Sequence, residues 1–261
     1  MKISKVLAEL FGRDPLLYRV GLMMFITGVL LVVPLLIDDR TVMGINPWIK
    51  PMKFCFSIGV FSWTIAWFLK ELKQPYIRSS KIISRVTAVV MMVEIFVLLF
   101  QAFRGVPSHF NMSTPLDGIL FGVMGLGIGV STFLSIWMLL LFLFGKISID
   151  PTYRLGIILG FAVFLISSWI GGQMIAYNQH SIGVADGGPG VPFFNWSMEG
   201  GDLRVSHFFG LHALQIIPLV SYWLKERVGS KQQLLLAVFT AGYIAVLYLL
   251  YSQAMSGKSL L

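Results

Sequence analysis

One cysteine in 261 residues, four histidines and a charged fraction of only 12% narrow the chain before any motif is sought. The lone Cys55 excludes an internal disulfide, and within an apolar run it reads as a packing residue. No glycine-rich nucleotide-binding pattern and no HExxH occurs. The chain shows no internal repeat, so the inverted-repeat plan of many transporters has no support. The segment MKISKVLAELFGRDPLLYR has no cleavable-signal pattern, because Glu9 and Arg13 interrupt its apolar residues and no small-x-small site follows. It reads instead as an amphipathic helix at the inner membrane surface, over residues 1–18.

What is abundant is apolar surface. Hydrophobic residues make up 56% of the chain and the mean hydropathy is +0.80, against roughly half apolar and a quarter charged in soluble domains. Crossing hydrocarbon takes roughly 20 apolar residues per helix. Seven runs meet that need: Arg19–Ile37, Lys53–Leu69, Ile82–Phe103, Gly118–Phe144, Leu155–Ala176, Leu203–Leu224 and Leu234–Ser252. The expected fold is all-α, one membrane domain over 1–261 built as a seven-helix bundle in the cell's plasma (inner) membrane. Its primary partner is the lipid bilayer.

The formal charge of +8 could suggest nucleic acid, but its placement argues otherwise. Lys2, Lys5, Arg13 and Arg19 fall on one side with Lys70, Lys73, Arg78, Lys81 and Arg85. Lys146, Arg154, Lys225, Arg227 and Lys231 join them. Arg40, Lys50, Lys53, Arg104, Arg204 and Lys258 fall on the other. The positive-inside rule makes the larger set cytoplasmic, with the N-terminus inside and the C-terminus outside. Lys50 and Lys53 go against that bias and are expected to snorkel to headgroups. Asn46 can cap a turn ahead of Pro47, and Trp48 suits an interfacial anchor.

Within the scaffold, small residues at i, i+4 (Gly118 and Gly122; Gly125 and Gly129; Gly156 and Gly160) predict close helix packing. Thr114, Pro115 and Asp117 predict a capped helix start.

Chemistry is expected in the outer half. Glu94 lies inside the third span, where an acid is costly and usually functional. Gln101 follows at i+7 on the same face, and Arg104 and His109 lie at the exit. The fifth span ends with Gln173, Asn178 and His180. The loop of residues 181–201 carries Phe193, Phe194 and Trp196 and is long enough to act as a lid. The sixth span, capped by Asp202, carries His207 and His212, with Pro218 below them. At 1.5 Å per residue, His212 and Glu94 both come out roughly 14 Å below the outer edge, His207 some 6 Å. Glu94 and His212 are therefore the expected central pair, with His207, His109, Gln101, Arg104 and Gln173 around them.

Three accounts fit this cluster. His207, His212 and His180 could ligate a transition metal or haem, supporting redox or hydrolytic chemistry on a membrane-soluble or periplasmic substrate. His207 and His212 are i, i+5, however, and diverge on a helix; a two-haem path would also need ligands at the inner side, which has none. Alternatively the site holds a small solute, quinone or lipid headgroup beneath the loop, as in a transporter or binding protein. The third account is structural: the histidines bond across helices and the loop seals the bundle.

The stretches RGVPSHFN, DGGPG and GDLRVSHFFGLHALQ resemble a group of bacterial multi-span membrane proteins with no assigned activity. The resemblance implies a multi-span fold and no substrate or cofactor. The His-x4-His spacing here departs from the His-x3-His of the seven-span zinc hydrolases of the progestin-receptor and ceramidase type, which it matches poorly.

Overall fold

The computed structural model of the chain describes residues 3–72, 75–226 and 229–260. Lys2, Lys73 and Arg227, counted above in the basic set, lie outside the described residues. Helix α1 covers Ile3–Arg13 and α2 covers Pro15–Leu30, followed by α3 over Val32–Ile37. The amphipathic helix is thus shorter than expected. Asp14 ends it by accepting a hydrogen bond from the Leu17 N–H at 2.9 Å, and Pro15 then opens the first span.

The remaining long helices are α4 (Ile49–Leu69), α5 (Ile77–Arg104), α6 (Pro115–Phe144), α7 (Pro151–Tyr177), α8 (Leu203–Lys225) and α9 (Gln232–Met255). Two short strands, β1 (Ser181–Ile182) and β2 (Gly201–Asp202), pair antiparallel. Among the described residues seven helical stretches are long and apolar enough to cross a membrane. Their bounds fall within a few residues of the apolar runs. Apolar side chains such as Leu36 (77% exposed) and Phe144 (79%) stand outward, where water would penalise them and acyl chains would not. The chain is a multi-pass, all-α membrane protein.

Its contacts divide it into two compact units, Met1–Leu134 and Ser135–Leu261, and α6 runs through the boundary. In the first unit α2 lies along α4. A Cβ on Gly21 would come 2.2 Å from the Trp63 ring nitrogen, and one on Gly59 would come 2.9 Å from the Phe25 ring. The indole N–H of Trp63 donates to the Tyr18 carbonyl at 3.1 Å. In the second unit α7 packs on α8, and Val163, Ala213, Ile217, Leu224, Leu236 and Leu247 form a buried apolar cluster with α9.

The glycine expectation divides between helices. Gly156 and Gly160 do form a close-packing face: their absent Cβ atoms would meet Ser221 Oγ at 2.1 Å and the Pro218 ring at 3.1 Å. In α6 they do not, since Gly122, Gly125 and Gly129 have nothing within 4 Å of that position among the described residues. Gly156→Ala is expected to destabilise the protein by about 1–3 kcal/mol through overpacking. Gly122→Ala should stabilise it by about 0.5–1 kcal/mol through reduced chain entropy. Unfolding of the two purified variants in detergent checks this; equal effects would refute the packing assignment.

Candidate functional site

Glu94 lies midway along α5 and is 2% exposed. Neither carboxyl oxygen has a hydrogen-bond partner among the described residues. Lys50, in the first turn of α4, is the cation whose charge acts on it. Lys50 is half-buried.

On the same face of α5, nearer its C-terminal end, Gln101 is fully buried and joins a network centred on Asp117 of α6. The Asp117 carboxylate accepts from the Gln101 amide at 2.9 Å, the Arg104 guanidinium at 2.5 Å and the Thr114 hydroxyl at 2.6 Å. Arg104 also donates to the Gln101 carbonyl oxygen at 2.6 Å. Thr114 accepts from the Asp117 backbone N–H at 3.2 Å, so it caps α6 as its position implied. Gln101 and Arg104 are thereby brought together, with each other and with an acid that sequence reasoning treated only as a helix-start residue. The available signal was an acid in the first turn of an apolar helix, following an arginine at the end of the preceding one.

His109 sits beside Ser108, whose hydroxyl lies 3.1 Å from its Nδ1. Its ring packs among Phe54, Phe110 and Phe121 at centroid distances of 5.9–6.2 Å. Near the same end of the unit, Asp38 accepts from the Arg40 guanidinium at 2.7 Å and the Trp48 indole at 2.7 Å. Those two donors hold its carboxyl well below the usual range. Trp48 is thus tied to a protein acid, and Asn46 accepts from the Trp48 backbone N–H at 3.0 Å in the turn expected of it.

In the second unit His207 bridges α7 and α8. Its Nδ1 lies 2.7 Å from the Ser167 carbonyl, and the Ser167 hydroxyl donates back to the His207 carbonyl at 2.6 Å. A carbonyl only accepts, so the proton is on Nδ1. The ring fills the space over Gly171, where a Cβ would come 2.8 Å from His207 Cε1. His212 turns back on its own helix, with Nδ1 2.7 Å from the Phe208 carbonyl and its ring 4.3 Å from that of Phe208. Gln173 is half-buried, and its side-chain oxygen has no partner among the described residues. Asn178 adopts the left-handed conformation that ends α7 (φ 54°), a role its residue type suits.

The loop of residues 181–201 is ordered at its base by the β1–β2 pair. Its aromatic rings fold onto the start of α8: Phe194 stacks on Trp196 at 4.4 Å, and both meet Phe208 at 5.9 and 5.7 Å. Asp202 caps α8 through the Arg204 N–H at 2.9 Å and pairs with its guanidinium at 2.6 Å. His180 Nδ1 meets the Asp186 carboxylate at 2.7 Å, which also accepts from the His180 and Ser181 backbone N–H groups.

Comparison with known protein families, curated proteins and solved structures finds no match to this chain. The functional reading therefore rests on the geometry. Among the described residues no three His, Cys, Asp or Glu side chains group to hold a metal. Glu94 belongs to the first unit and His207, His212 and His180 to the second, and within the second each histidine is engaged locally. The most chemically poised group is Glu94, a carboxyl inside a span with neither oxygen satisfied.

Asp186 supplies a pH test of the loop. Burial pushes its carboxyl up, but the hydrogen bonds and charge of His180 outweigh this and hold it well below the ordinary range. A depressed folded value means the stabilisation is present above the unfolded carboxyl value of about 4 and is lost as pH falls through the folded one. Amide protection over residues 180–202, relative to the intrinsic exchange rate at each pH, should therefore fall on acidification below about pH 4. Asp186→Asn should exchange faster at neutral pH and lose that acid limb. An unchanged pH profile in the variant would remove His180–Asp186 as the clasp.

Proposed function

We propose that the protein is a membrane binding or transport protein of the plasma membrane that takes up and releases a proton at Glu94 together with a small solute. The observation carrying this reading is the pair of unsatisfied carboxyl oxygens on a 2%-exposed side chain inside a span. An acid kept there without partners costs stability, and intramembrane acids are retained where a proton, ion or solute meets them. The Gln101–Arg104–Asp117 network lies on the same face nearer the end of α5. His207 and His212 are read as structural, since each Nδ1 is committed to a carbonyl.

The test is infrared difference spectroscopy of the protein in nanodiscs across a pH step. Wild type should show a protonated-carboxyl C=O band that changes with pH, Glu94→Gln should lose that band, and Glu71→Gln should keep it. Identical spectra for wild type and Glu94→Gln would refute proton exchange at this residue.

A further inference from the structure

At the opposite end of the first unit from Arg104 and Lys50, a cavity of about 550 Å³ opens between the end of α1, the first turns of α2, the end of α4 and the start of α5. Arg13, Arg19, Lys70, Lys81 and Arg85 line it, against one carboxylate, Asp14. Asp14 already accepts from the Leu17 N–H as the α2 cap. Arg13 is a fixed part of the wall. It pairs with Glu9 at 2.7 Å and Glu71 at 2.8 Å, donates to the Trp67 carbonyl at 2.8 Å, and lies 3.9 Å from the Trp67 ring centroid.

The other four cations are different. Arg19, Lys70, Lys81 and Arg85 are exposed, and none has a carboxylate within 4 Å among the described residues. Lys81 and Arg85 are i, i+4 on one helix face, where like charges repel. Between them the Ser84 side chain lines the cavity and offers a hydroxyl donor. At the rim Leu16 and Ile77 are 41% and 43% exposed, as apolar contacts for an acyl chain would be. A general excess of basic residues at one membrane face explains their number. It does not explain four unneutralised cations converging on one recess with a hydroxyl in its wall and an apolar lip.

We infer that this recess is a binding site for a phosphate ester anion, held by Arg19, Lys70, Lys81 and Arg85, with the headgroup of an anionic glycerophospholipid as its membrane source. Basic pockets between membrane helices recognise such headgroups through charge and phosphate hydrogen bonds. The site is independent of the proton reading at Glu94, which lies deep in α5 away from this end.

The test uses the full chain in phosphatidylcholine nanodiscs into which phosphatidylglycerol is titrated, with the unfolding temperature as readout. A second arm adds inorganic phosphate to discs of phosphatidylcholine alone. A saturating rise is expected at low phosphatidylglycerol content. Arg19→Gln should shift the half-point roughly fivefold, and Lys81→Gln with Arg85→Gln roughly 25-fold. Arg78→Gln, on the same helix end but outside the cavity, should leave it in place. Saturation in the phosphate arm that the double variant abolishes supports the same site and assigns it to a soluble phosphate ester. A rise that never saturates, that ignores the double variant, or that Arg78→Gln weakens equally overturns the proposal in favour of diffuse surface charge.

Discussion

Asp117→Ala should lower the unfolding temperature of the purified protein by roughly 5–10 °C, the largest loss expected of any single polar substitution. Removing the acid strands three donors at once: the Gln101 amide, the Arg104 guanidinium and the Thr114 hydroxyl. It also leaves Arg104, three-quarters buried, without its ion-pair partner, and a buried charge left alone costs more than the pair was worth. Asp117→Asn should fall between, because it keeps the shape and one acceptor while losing the charge. Arg104→Gln should cost less than Asp117→Ala, since Asp117 retains Gln101 and Thr114. The reverse order in thermal unfolding would mean that Arg104, rather than Asp117, is the hub joining the end of α5 to the start of α6.

Glu94→Met should act in the opposite direction. The substitution replaces a buried carboxyl whose oxygens make no hydrogen bond among the described residues with an unbranched apolar chain of similar length. The relief of an unsatisfied buried polar group is worth about 1–3 kcal/mol. Unfolding in mixed detergent should show that gain, while the infrared response to a pH step disappears. Stability gained together with function lost marks a residue kept for chemistry. If Glu94→Met instead destabilises the protein, the carboxyl is a structural group and the proton-exchange proposal loses its physical basis. Glu94→Gln separates the effects, since it retains polarity and should bring little of the gain.

Several side chains show why only part of the site was legible beforehand. Thr114, Asp202 and Asn46 could be read correctly, because a cap or turn is decided by residues two or three positions away. The aromatic loop could also be read, because Phe194 and Trp196 stand shortly before the helix that begins at Leu203 and have Phe208 within reach. His207 was legible only as a polar residue in a span. Its partner, Ser167, is forty positions away, and nothing in α8 alone indicates which helix its ring faces. Lys50 was legible only as a cation near a helix end: sequence gives its distance from that end, but which neighbour it faces is fixed by the rotation of α4 against α5.

The same division runs through the whole protein. The sequence alone determined the seven helices long and apolar enough to cross a membrane and their bounds to within a few residues, because transfer into hydrocarbon is close to additive along a contiguous stretch. Only the tertiary structure decided that the chain forms two compact units, that Asp117 rather than a histidine anchors the polar network, that Glu94 has no hydrogen-bond partner among the described residues, and that Gly122, Gly125 and Gly129 of α6 have no close neighbour among those residues while Gly156 and Gly160 of α7 seat Ser221 and Pro218. Those outcomes depend on the azimuth and separation of neighbouring helices. These are set by the simultaneous packing of many distant side chains, and no periodicity within one span encodes them.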